Sequence, residues 1–167
     1  MSRVHGFPPI AAADARILVL GSMPGKASLR ASQYYAHPRN AFWQIIESLF
    51  GIDRTLPYEV RCAQLMVQRV AVWDVLQTCT RSSSLDSDID RSSIVANDFP
   101  AFFALHPDIR VIYFNGAMAE QSFRRYATGL LPEALQRLPT VRLPSTSPAN
   151  ATYSFDRKLA AWRSMRD

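Results

Sequence analysis

Four short runs of apolar and β-branched residues alternate along the chain with segments of helical periodicity. The runs are Arg16–Leu20, Val70–Leu76, Val111–Phe114 and Thr140–Leu143. Each has the length of a strand and is followed by residues that favour turns, so each predicts a β-strand.

Apolar residues between these runs recur at the i, i+3, i+4 spacing of one buried helix face. The strongest pattern is that of Phe42, Ile45, Ile46, Leu49 and Phe50, and three weaker ones predict further helices. They comprise Phe99, Phe102 and Phe103; Ala119, Ser122, Phe123 and Tyr126; and Phe155, Leu159 and Trp162 in a last helix beginning near Asn150. Strands that alternate with helices predict an α/β fold, a three-layer α/β/α sandwich around a four-stranded, mostly parallel sheet.

The chain carries no internal repeat, low-complexity block or clear linker. Its 167 residues are enough for one well-packed domain, so residues 1–167 are predicted to form a single domain. The segment Thr80–Ser93 is rich in Ser and Asp and predicts a long surface loop.

The composition is that of an ordinary globular protein, with 48% hydrophobic and 20% charged residues. No apolar run approaches the roughly 20 residues that cross a bilayer, and Met1–Ala13 lacks the layout of a secretory signal. We therefore expect a cytoplasmic protein without a membrane partner. Cys62 and Cys79 are too few for an iron–sulfur cluster or a zinc site, and they are expected to be buried free thiols. No metal or other cofactor is expected.

The net charge of +5 comes almost entirely from arginine, since Lys26 and Lys158 are the only lysines among 19 basic residues. The planar guanidinium group binds phosphate well, which suits a polyanionic partner. A modestly basic surface also serves solubility, however, so charge alone favours nucleic acid only weakly.

Unusual residues follow each predicted strand, at the edge where parallel sheets bind their ligands. A tight loop, Gly21-Ser22-Met23-Pro24-Gly25, follows the first strand, and its backbone N–H groups can face a ligand oxygen. It matches neither the G-x-G-x-x-G fingerprint nor a Walker loop, which argues against a dinucleotide site and against ATP hydrolysis.

Three further motifs make the pattern specific. Gln33–Trp43 reads Gln-Tyr-Tyr-Ala-His-Pro-Arg-Asn-Ala-Phe-Trp, Asn115-Gly116 follows the third strand, and Leu143–Pro148 reads Leu-Pro-Ser-Thr-Ser-Pro after the fourth. With the Gly21–Gly25 loop, these motifs resemble the uracil-DNA glycosylase superfamily, and most of all its hypoxanthine-DNA (deoxyinosine) branch. The resemblance extends from Ile17 to Trp162.

This resemblance implies a monofunctional DNA glycosylase of base excision repair, which flips out a deaminated base and hydrolyses its N-glycosidic bond. Hypoxanthine is the expected base, DNA the expected partner, and a monomer the expected state. Asn40 would orient the water, Phe42 would stack on the base, and Asn115 with the backbone of Gly21, Ser22, Met23, Pro24 and Gly25 would read its edge.

Two positions depart from the mismatch-specific uracil enzymes that the chain otherwise resembles. Met23 stands where those enzymes have Asn, so the polar role is expected to move to Asn40. Leu143 stands where the most active uracil enzymes carry His. Stabilisation of the leaving base must then come from backbone N–H groups or from protonation of a purine.

DNA phosphates are expected to contact Arg39, Arg142, Ser145, Thr146 and Ser147, while residues 148–150, beginning with Pro148, are expected to enter the space that the flipped base vacates. His37 is expected to contact DNA at most, and Asp74 to be mainly structural. No lysine stands at a strand end as a plausible Schiff-base nucleophile, which disfavours β-lyase chemistry. Asn40 and Asn115 also suit an ordinary helix cap and a turn.

Three alternatives stay open on the sequence. A uracil glycosylase acting on mispaired or single-stranded DNA would use the same motifs. A catalytically silent nucleic-acid-binding domain could keep the fold, and a nucleotide-binding enzyme could use the first glycine-rich loop.

Overall fold

The computed structural model describes residues 3–167, so Met1 and Ser2 of the predicted 1–167 domain lie outside the described residues. The strands are β1 (Arg3–His5), β2 (Ile17–Gly21), β3 (Val70–Asp74), β4 (Leu76–Arg81), β5 (Ile89–Ala96), β6 (Val111–Asn115) and β7 (Thr140–Leu143). The helices are α1 (Lys26–Ala31), α2 (Phe42–Phe50), α3 (Tyr58–Val67), α4 (Phe99–Leu105), α5 (Ala117–Tyr126), α6 (Glu133–Gln136) and α7 (Phe155–Trp162). Short 3₁₀ turns cover Asp86–Asp88, Thr128–Leu130 and Arg163–Arg166.

The central sheet confirms the predicted fold class. Four strands pair in the order β3-β2-β6-β7, and every pairing between them is parallel. Their residues are almost continuously buried in β2, β3 and β6, as expected for strands covered on both faces.

Neighbouring residues of β6 show how the helices cover the two faces. Side chains alternate along a strand, so Tyr113 and Phe114 point to opposite sides of the sheet. The Phe114 ring packs edge-on against Phe123 of α5, whereas the Tyr113 hydroxyl donates to the carbonyl of Ser164, just after α7. Phe42 of α2 packs against Trp162 of α7. One layer therefore contains α5 and the other contains α2 and α7, which gives the three-layer sandwich.

A second sheet was not predicted. Its three antiparallel strands have the order β1-β4-β5. The single strand expected over Val70–Leu76 is in fact two, because the chain leaves the parallel sheet after Asp74 and joins the second sheet at Leu76. The Val75 and Leu76 N–H groups donate to the carbonyls of Gly21 and Ser22, which bends the chain beside the first loop.

The surface loop predicted over Thr80–Ser93 is also wrong in part. Its two ends belong to β4 and β5, which pair as a hairpin, and only the segment between them is irregular. Strand formation depends on how side chains pack against neighbouring strands as well as on composition, so the Ser- and Asp-rich composition concealed these strands.

Smaller differences concern the last helix and the cysteines. The last helix begins at Phe155 rather than near Asn150, because the Ser154 hydroxyl accepts from the Arg157 N–H and caps it. Cys62 and Cys79 are free thiols, but only Cys79 is buried and Cys62 is partly exposed. Within residues 3–167, none of the helices has the length and apolar character that a membrane crossing needs.

Candidate active site

The carboxyl ends of the four parallel strands form one row of residues. Asp74 of β3 pairs with Gly21 of β2, and Asn115 of β6 pairs with Leu143 of β7. Since β2 lies between β3 and β6, the row runs across the whole sheet. Parallel sheets bind ligands at this edge, as expected from the motifs that follow each strand.

A cavity of about 430 Å³ opens at this row, a volume typical of small-molecule sites. Six chain segments line it: the first loop with the start of α1, the loop before α2, the end of β3, the tip of the β4–β5 hairpin, the end of β6, and the turn after β7. The lining residues are Gly21–Ser28, Tyr34, Tyr35, His37, Asn40, Asp74, Ser84–Ser87, Asn115 and Ser145–Asn150.

The first loop is shaped by the side chains that pack around it. A Cβ atom at Gly21 would lie 2.5 Å from Asp74 Oδ1 and 3.0 Å from the Tyr35 hydroxyl oxygen, so this position requires glycine. The Ser22 hydroxyl donates to Asp86 Oδ1 at 2.7 Å, and the Arg81 guanidinium donates to the Pro24 carbonyl. The loop is thus held from the β4–β5 hairpin, which sequence reasoning did not foresee.

Asp74 is a buried carboxyl group on the cavity wall. Asp74 is 4% exposed, and its Oδ2 atom has no hydrogen-bond partner among the described residues. Burial, and next the neighbouring carboxylate of Asp86, raise its pKa to about 7, although the Arg81 cation opposes the shift. At neutral pH a large fraction of Asp74 is therefore a neutral carboxylic acid.

Tyr35 lines the cavity where sequence reasoning expected Phe42. Phe42 is fully buried and absent from the cavity wall, because the Tyr35 ring stacks on it at a centroid distance of 4.2 Å. Stacking of Phe42 directly on a base is therefore not supported by this arrangement. Tyr35 has a φ of 57°, an uncommon backbone conformation for a side chain of its size, and such strain is typical of functional sites.

The Tyr35 hydroxyl group resembles Asp74 in being buried without a partner among the described residues. Burial, and next the charge of Asp74, raise its pKa, so the phenol stays protonated at neutral pH. The Tyr35 hydroxyl and the Asp74 carboxyl group, each with an unpaired oxygen, thus both lie beside Gly21.

Asn40 lines the cavity and also supports the start of α2. Its Oδ1 atom accepts from the Phe42 N–H at 3.0 Å, which fixes the carboxamide group. A carbonyl oxygen has two lone pairs, so one acceptor site of Oδ1 is left by this bond. Ala41 rather than Asn40 is the N-cap residue of α2, and the bond from the Phe42 N–H is compatible with a water-orienting role for Asn40.

Asn115 faces the cavity with its amide held by one partner. Its Nδ2 donates to Thr146 Oγ1 at 3.0 Å, and its Oδ1 accepts from the Thr146 N–H at 2.9 Å. One amide hydrogen and one acceptor site are left over, which is enough to pair with a carbonyl and an N–H on a base edge.

The turn after β7, residues 145–150, forms the other side of the cavity. Asn150 Nδ2 donates to the Ser145 carbonyl, and the Ser147 N–H donates to Ser145 Oγ. Two side chains of helix α7 hold this segment by hydrogen bonds to its carbonyl groups. Trp162 Nε1 donates to the Pro144 carbonyl at 3.0 Å and Lys158 Nζ to the Ser147 carbonyl at 3.4 Å, while burial lowers the pKa of Lys158.

The basic residues near the site differ in their positions. Arg39 is exposed on the loop before α2, and His37 on the same loop lines the cavity. Arg142 is outside the cavity wall, and its guanidinium lies 3.6 Å from a Glu120 carboxylate oxygen. Lys26 at the start of α1 lines the cavity as well, but it is solvent-exposed and follows the first loop rather than ending a strand.

Comparison with known proteins agrees with this geometry. The sequence profile of the uracil DNA glycosylase superfamily matches residues 8–166. The chain belongs to this superfamily.

Two curated relatives carry the name hypoxanthine DNA glycosylase. One, from Methanosarcina acetivorans, is 34% identical over 155 residues, which is 92% of each chain. Another, from Methanosarcina barkeri, is 36% identical over 113 residues, covering 67% of this chain and 70% of the relative. The predicted family and enzyme class, a DNA glycosylase, are confirmed.

A solved structure supports the fold as well. The solution NMR structure of a candidate uracil DNA glycosylase from Methanosarcina acetivorans superposes with a TM-score of 0.79 at 32% identity, covering 99% of this chain and all of that one.

The residues at the site that the sequence did not predict are Tyr35, Asp86 and Arg81. Tyr35 lies in the Tyr-Tyr motif and Asp86 in a Ser-Leu-Asp segment that also resembles the hypoxanthine branch, but neither was assigned a role, and Arg81 had no local signal because the hairpin brings it to the first loop.

Proposed function

We propose that this member of the superfamily excises hypoxanthine from DNA by hydrolysing the N-glycosidic bond of deoxyinosine and leaving an abasic site. The observation that carries the proposal is that Asn40, Tyr35 and Asn115, from three separate segments, line one cavity at the strand ends. The names of the two curated relatives support the same substrate.

Asn40 is the proposed water-orienting residue. A carboxamide is too weak a base to remove a proton, but its oxygen can hold a water molecule by a hydrogen bond. That is sufficient when the sugar departs as an oxocarbenium-like cation, because the nucleophile then need not be strong. The bond from the Phe42 N–H to Oδ1 supports this role, since it fixes the direction of the remaining acceptor site.

Base binding is assigned to Tyr35 and Asn115. A base flipped out of the duplex loses its stacking partners, and an aromatic ring in the pocket replaces them. Tyr35 offers that ring, with Phe42 stacked behind it as support. Asn115, fixed by Thr146, offers one donor and one acceptor to the carbonyl and N–H that hypoxanthine presents.

DNA binding is assigned to the surface around the cavity mouth. The turn of residues 145–150 presents Ser145 and Ser147 for contacts with the phosphates that flank the lesion and Pro148 for the vacated base stack, while buried Thr146 mainly holds Asn115. Arg39 is free for a phosphate contact, and a contact by Arg142 stays a prediction that requires its release from Glu120. We also propose that the protein acts as a monomer in the cytoplasm.

The decisive experiment is an excision panel with oligonucleotides that carry hypoxanthine, uracil, xanthine or no lesion. After incubation, hot alkali cuts the strand at any abasic site. We expect more cleavage at hypoxanthine than at uracil or xanthine, and no cleavage of the lesion-free control. Cleavage at uracil alone would replace the proposed substrate by that of the uracil branch.

The same panel tests whether the enzyme is monofunctional. Lys26 is solvent-exposed, whereas Schiff-base lysines are activated by desolvation or by a neighbouring cation. Without alkali the DNA strand should therefore stay intact, and borohydride should trap no covalent complex. A trapped adduct that disappears in Lys26→Ala would contradict the monofunctional assignment.

Arg39 and Arg142 form a matched pair for testing the DNA surface. We expect Arg39→Ala to weaken binding and to lower the slope of affinity against salt by about one unit. Arg142→Ala should change both quantities less, because Arg142 is paired with Glu120. Fluorescence anisotropy at several salt concentrations gives both values. An affinity that is independent of salt would favour the small-nucleotide alternative.

A further inference from the structure

One carboxyl group on the cavity wall has an unpaired oxygen, and the proposed reaction gives it no role. Asp74 is 4% exposed, lines the cavity, and leaves Oδ2 without a hydrogen-bond partner among residues 3–167. Three other polar side chains of the wall have partners: Ser22 donates to Asp86, Asn115 pairs with Thr146, and Asn40 accepts from a backbone N–H, whereas the Tyr35 hydroxyl is unpaired like Asp74. An unpaired buried carboxyl group is costly, so its retention here indicates a partner that arrives with the substrate.

The surroundings of Asp74 favour its protonated form. The groups that face it are the carboxylate of Asp86, the cation of Arg81 and the hydroxyls of Tyr34 and Tyr35. Asp86 and burial disfavour a second negative charge, and the two tyrosines are themselves kept neutral by burial. Only Arg81 opposes this, and its guanidinium also donates to the Pro24 carbonyl. The resulting acid has an O–H to donate, which a carboxylate lacks.

We propose that Asp74 is the general acid of this glycosylase, and that it delivers its proton to the imidazole nitrogen N7 of the flipped hypoxanthine. This inference rests on the proposed function, because it requires a purine in the cavity. It gives Asp74 a substrate-contacting role in place of the structural one expected from the sequence.

The step balances without any further reactant. The proton moves from Asp74 to N7, and the electron pair of the bond between C1′ and N9 leaves with the base, so that hypoxanthine departs neutral. Water held by Asn40 adds to the sugar cation at C1′ and releases one proton. The Asp74 carboxylate regains a proton from solvent or from that water, and the net reaction is hydrolysis.

The same step explains a preference for a purine. Uracil has no basic ring nitrogen equivalent to N7, so it must leave as an anion that oxygen contacts stabilise. Leu143, at the end of β7, is apolar and buried, and it offers no such contact. A neutral acid beside the base therefore accelerates hypoxanthine departure and leaves uracil departure almost unchanged.

The test compares Asp74→Asn with wild type in single-turnover excision between pH 5.5 and 8.5. The variant keeps the size and polarity of the side chain but has no proton to transfer. We expect hypoxanthine excision to fall by about 10²–10⁴-fold, the usual contribution of a general acid. The wild-type rate should decline as pH rises above about 7, and the variant should lose this dependence. Asp108 is exposed and does not line the cavity. Asp108→Asn makes the same chemical change there, so it is the matched control and should behave as wild type.

A second substrate keeps the test decisive if Asp74→Asn fails to fold, which a melting curve reveals. An oligonucleotide with 7-deaza-2′-deoxyinosine lacks N7 but keeps the carbonyl and the N–H of the base edge. Wild type should bind it with the affinity of the deoxyinosine oligonucleotide and excise it at least 10²-fold more slowly.

The outcomes separate the two proposals. If the wild-type enzyme does not excise hypoxanthine from DNA, the proposed function is wrong and this inference fails with it. A wild type that excises hypoxanthine, while its rate is independent of pH or is unchanged in Asp74→Asn or on the deaza substrate, overturns only the role of Asp74.

Discussion

Two sides of the cavity use their polar groups in opposite ways. The inner wall, made by Gly21, Tyr35 and Asp74, buries a hydroxyl and a carboxyl oxygen that have no partner among the described residues. The outer turn, residues 145–150, satisfies most of its polar side chains internally or with Asn115. A satisfied turn keeps its shape without substrate, whereas unpaired buried groups raise the free energy of the empty site. This difference fits the proposal that the inner wall binds the base and the outer turn binds the DNA backbone.

After the loss expected for Asp74→Asn, the largest effect should come from Asn40, which lies between the two sides. Asn40→Ala removes the oxygen proposed to orient water, and single-turnover excision should fall on the order of a hundredfold to a thousandfold. The bond to the Phe42 N–H is lost as well, which should reduce the free energy of unfolding by roughly 0.5–2 kcal/mol. A variant that melts lower but excises at the wild-type rate would limit Asn40 to supporting the start of α2.

The inner wall is tested next through Tyr35. Tyr35→Ala removes the ring that supports the base, and affinity for a lesion-bearing oligonucleotide should fall by about 1–3 kcal/mol. Tyr35→Phe keeps the ring and should retain most of the affinity. Fluorescence anisotropy with hypoxanthine-containing and lesion-free DNA distinguishes the two. Equal affinity of Tyr35→Ala and wild type for the lesion would assign stacking to another residue.

A third prediction concerns the cost of the inner wall for stability. The pKa of Asp74 in the fold is about 7, above its ordinary value of 3.8, so the folded state binds the proton more tightly than the unfolded chain. This favourable contribution is complete below the ordinary pKa and is lost as pH rises through about 7. Asp74→Asn has no such proton, so its melting temperature relative to wild type should increase between pH 5 and pH 8, on the order of 5 °C. A constant difference across this range would show that Asp74 is ionised in the fold.

The smallest effect is expected on the outer turn. Thr146→Val removes the hydroxyl that accepts from Asn115 Nδ2 but keeps the backbone bond to Asn115 Oδ1. We expect a loss of about 0.5–1.5 kcal/mol in unfolding free energy and a change in excision rate of only a few-fold. A loss as large as that of Asn40→Ala would mean that the turn takes part in the chemistry.

The sequence predicted the parallel sheet and the strand-end motifs because both are local. Buried strands are continuous apolar runs, and the residues after them are adjacent in the chain. Asn40, Asn115, Gly21–Gly25 and Ser145–Pro148 were therefore brought to one cavity as expected. What could not be predicted depends on contacts between distant segments. The β4–β5 hairpin places Asp86 and Arg81 beside the first loop, and the left-handed backbone at Tyr35 turns its ring over Phe42.

Phe42 and Asp74 show the limits of assigning roles by position. Phe42 has the aromatic character for stacking, but its helix buries it completely and Tyr35 covers it. Asp74 ends an apolar strand, where a structural role is common, and its unpaired oxygen is evident only when the neighbouring strands and the hairpin are in place.

The central claim is that this cavity releases a deaminated purine from DNA, and single-turnover excision of hypoxanthine and uracil from the same duplex sequence tests it most directly. With Leu143 unable to stabilise a uracil anion and Asp74 available to protonate a purine, hypoxanthine should be excised at the higher rate. Uracil excised clearly faster than hypoxanthine would contradict the account.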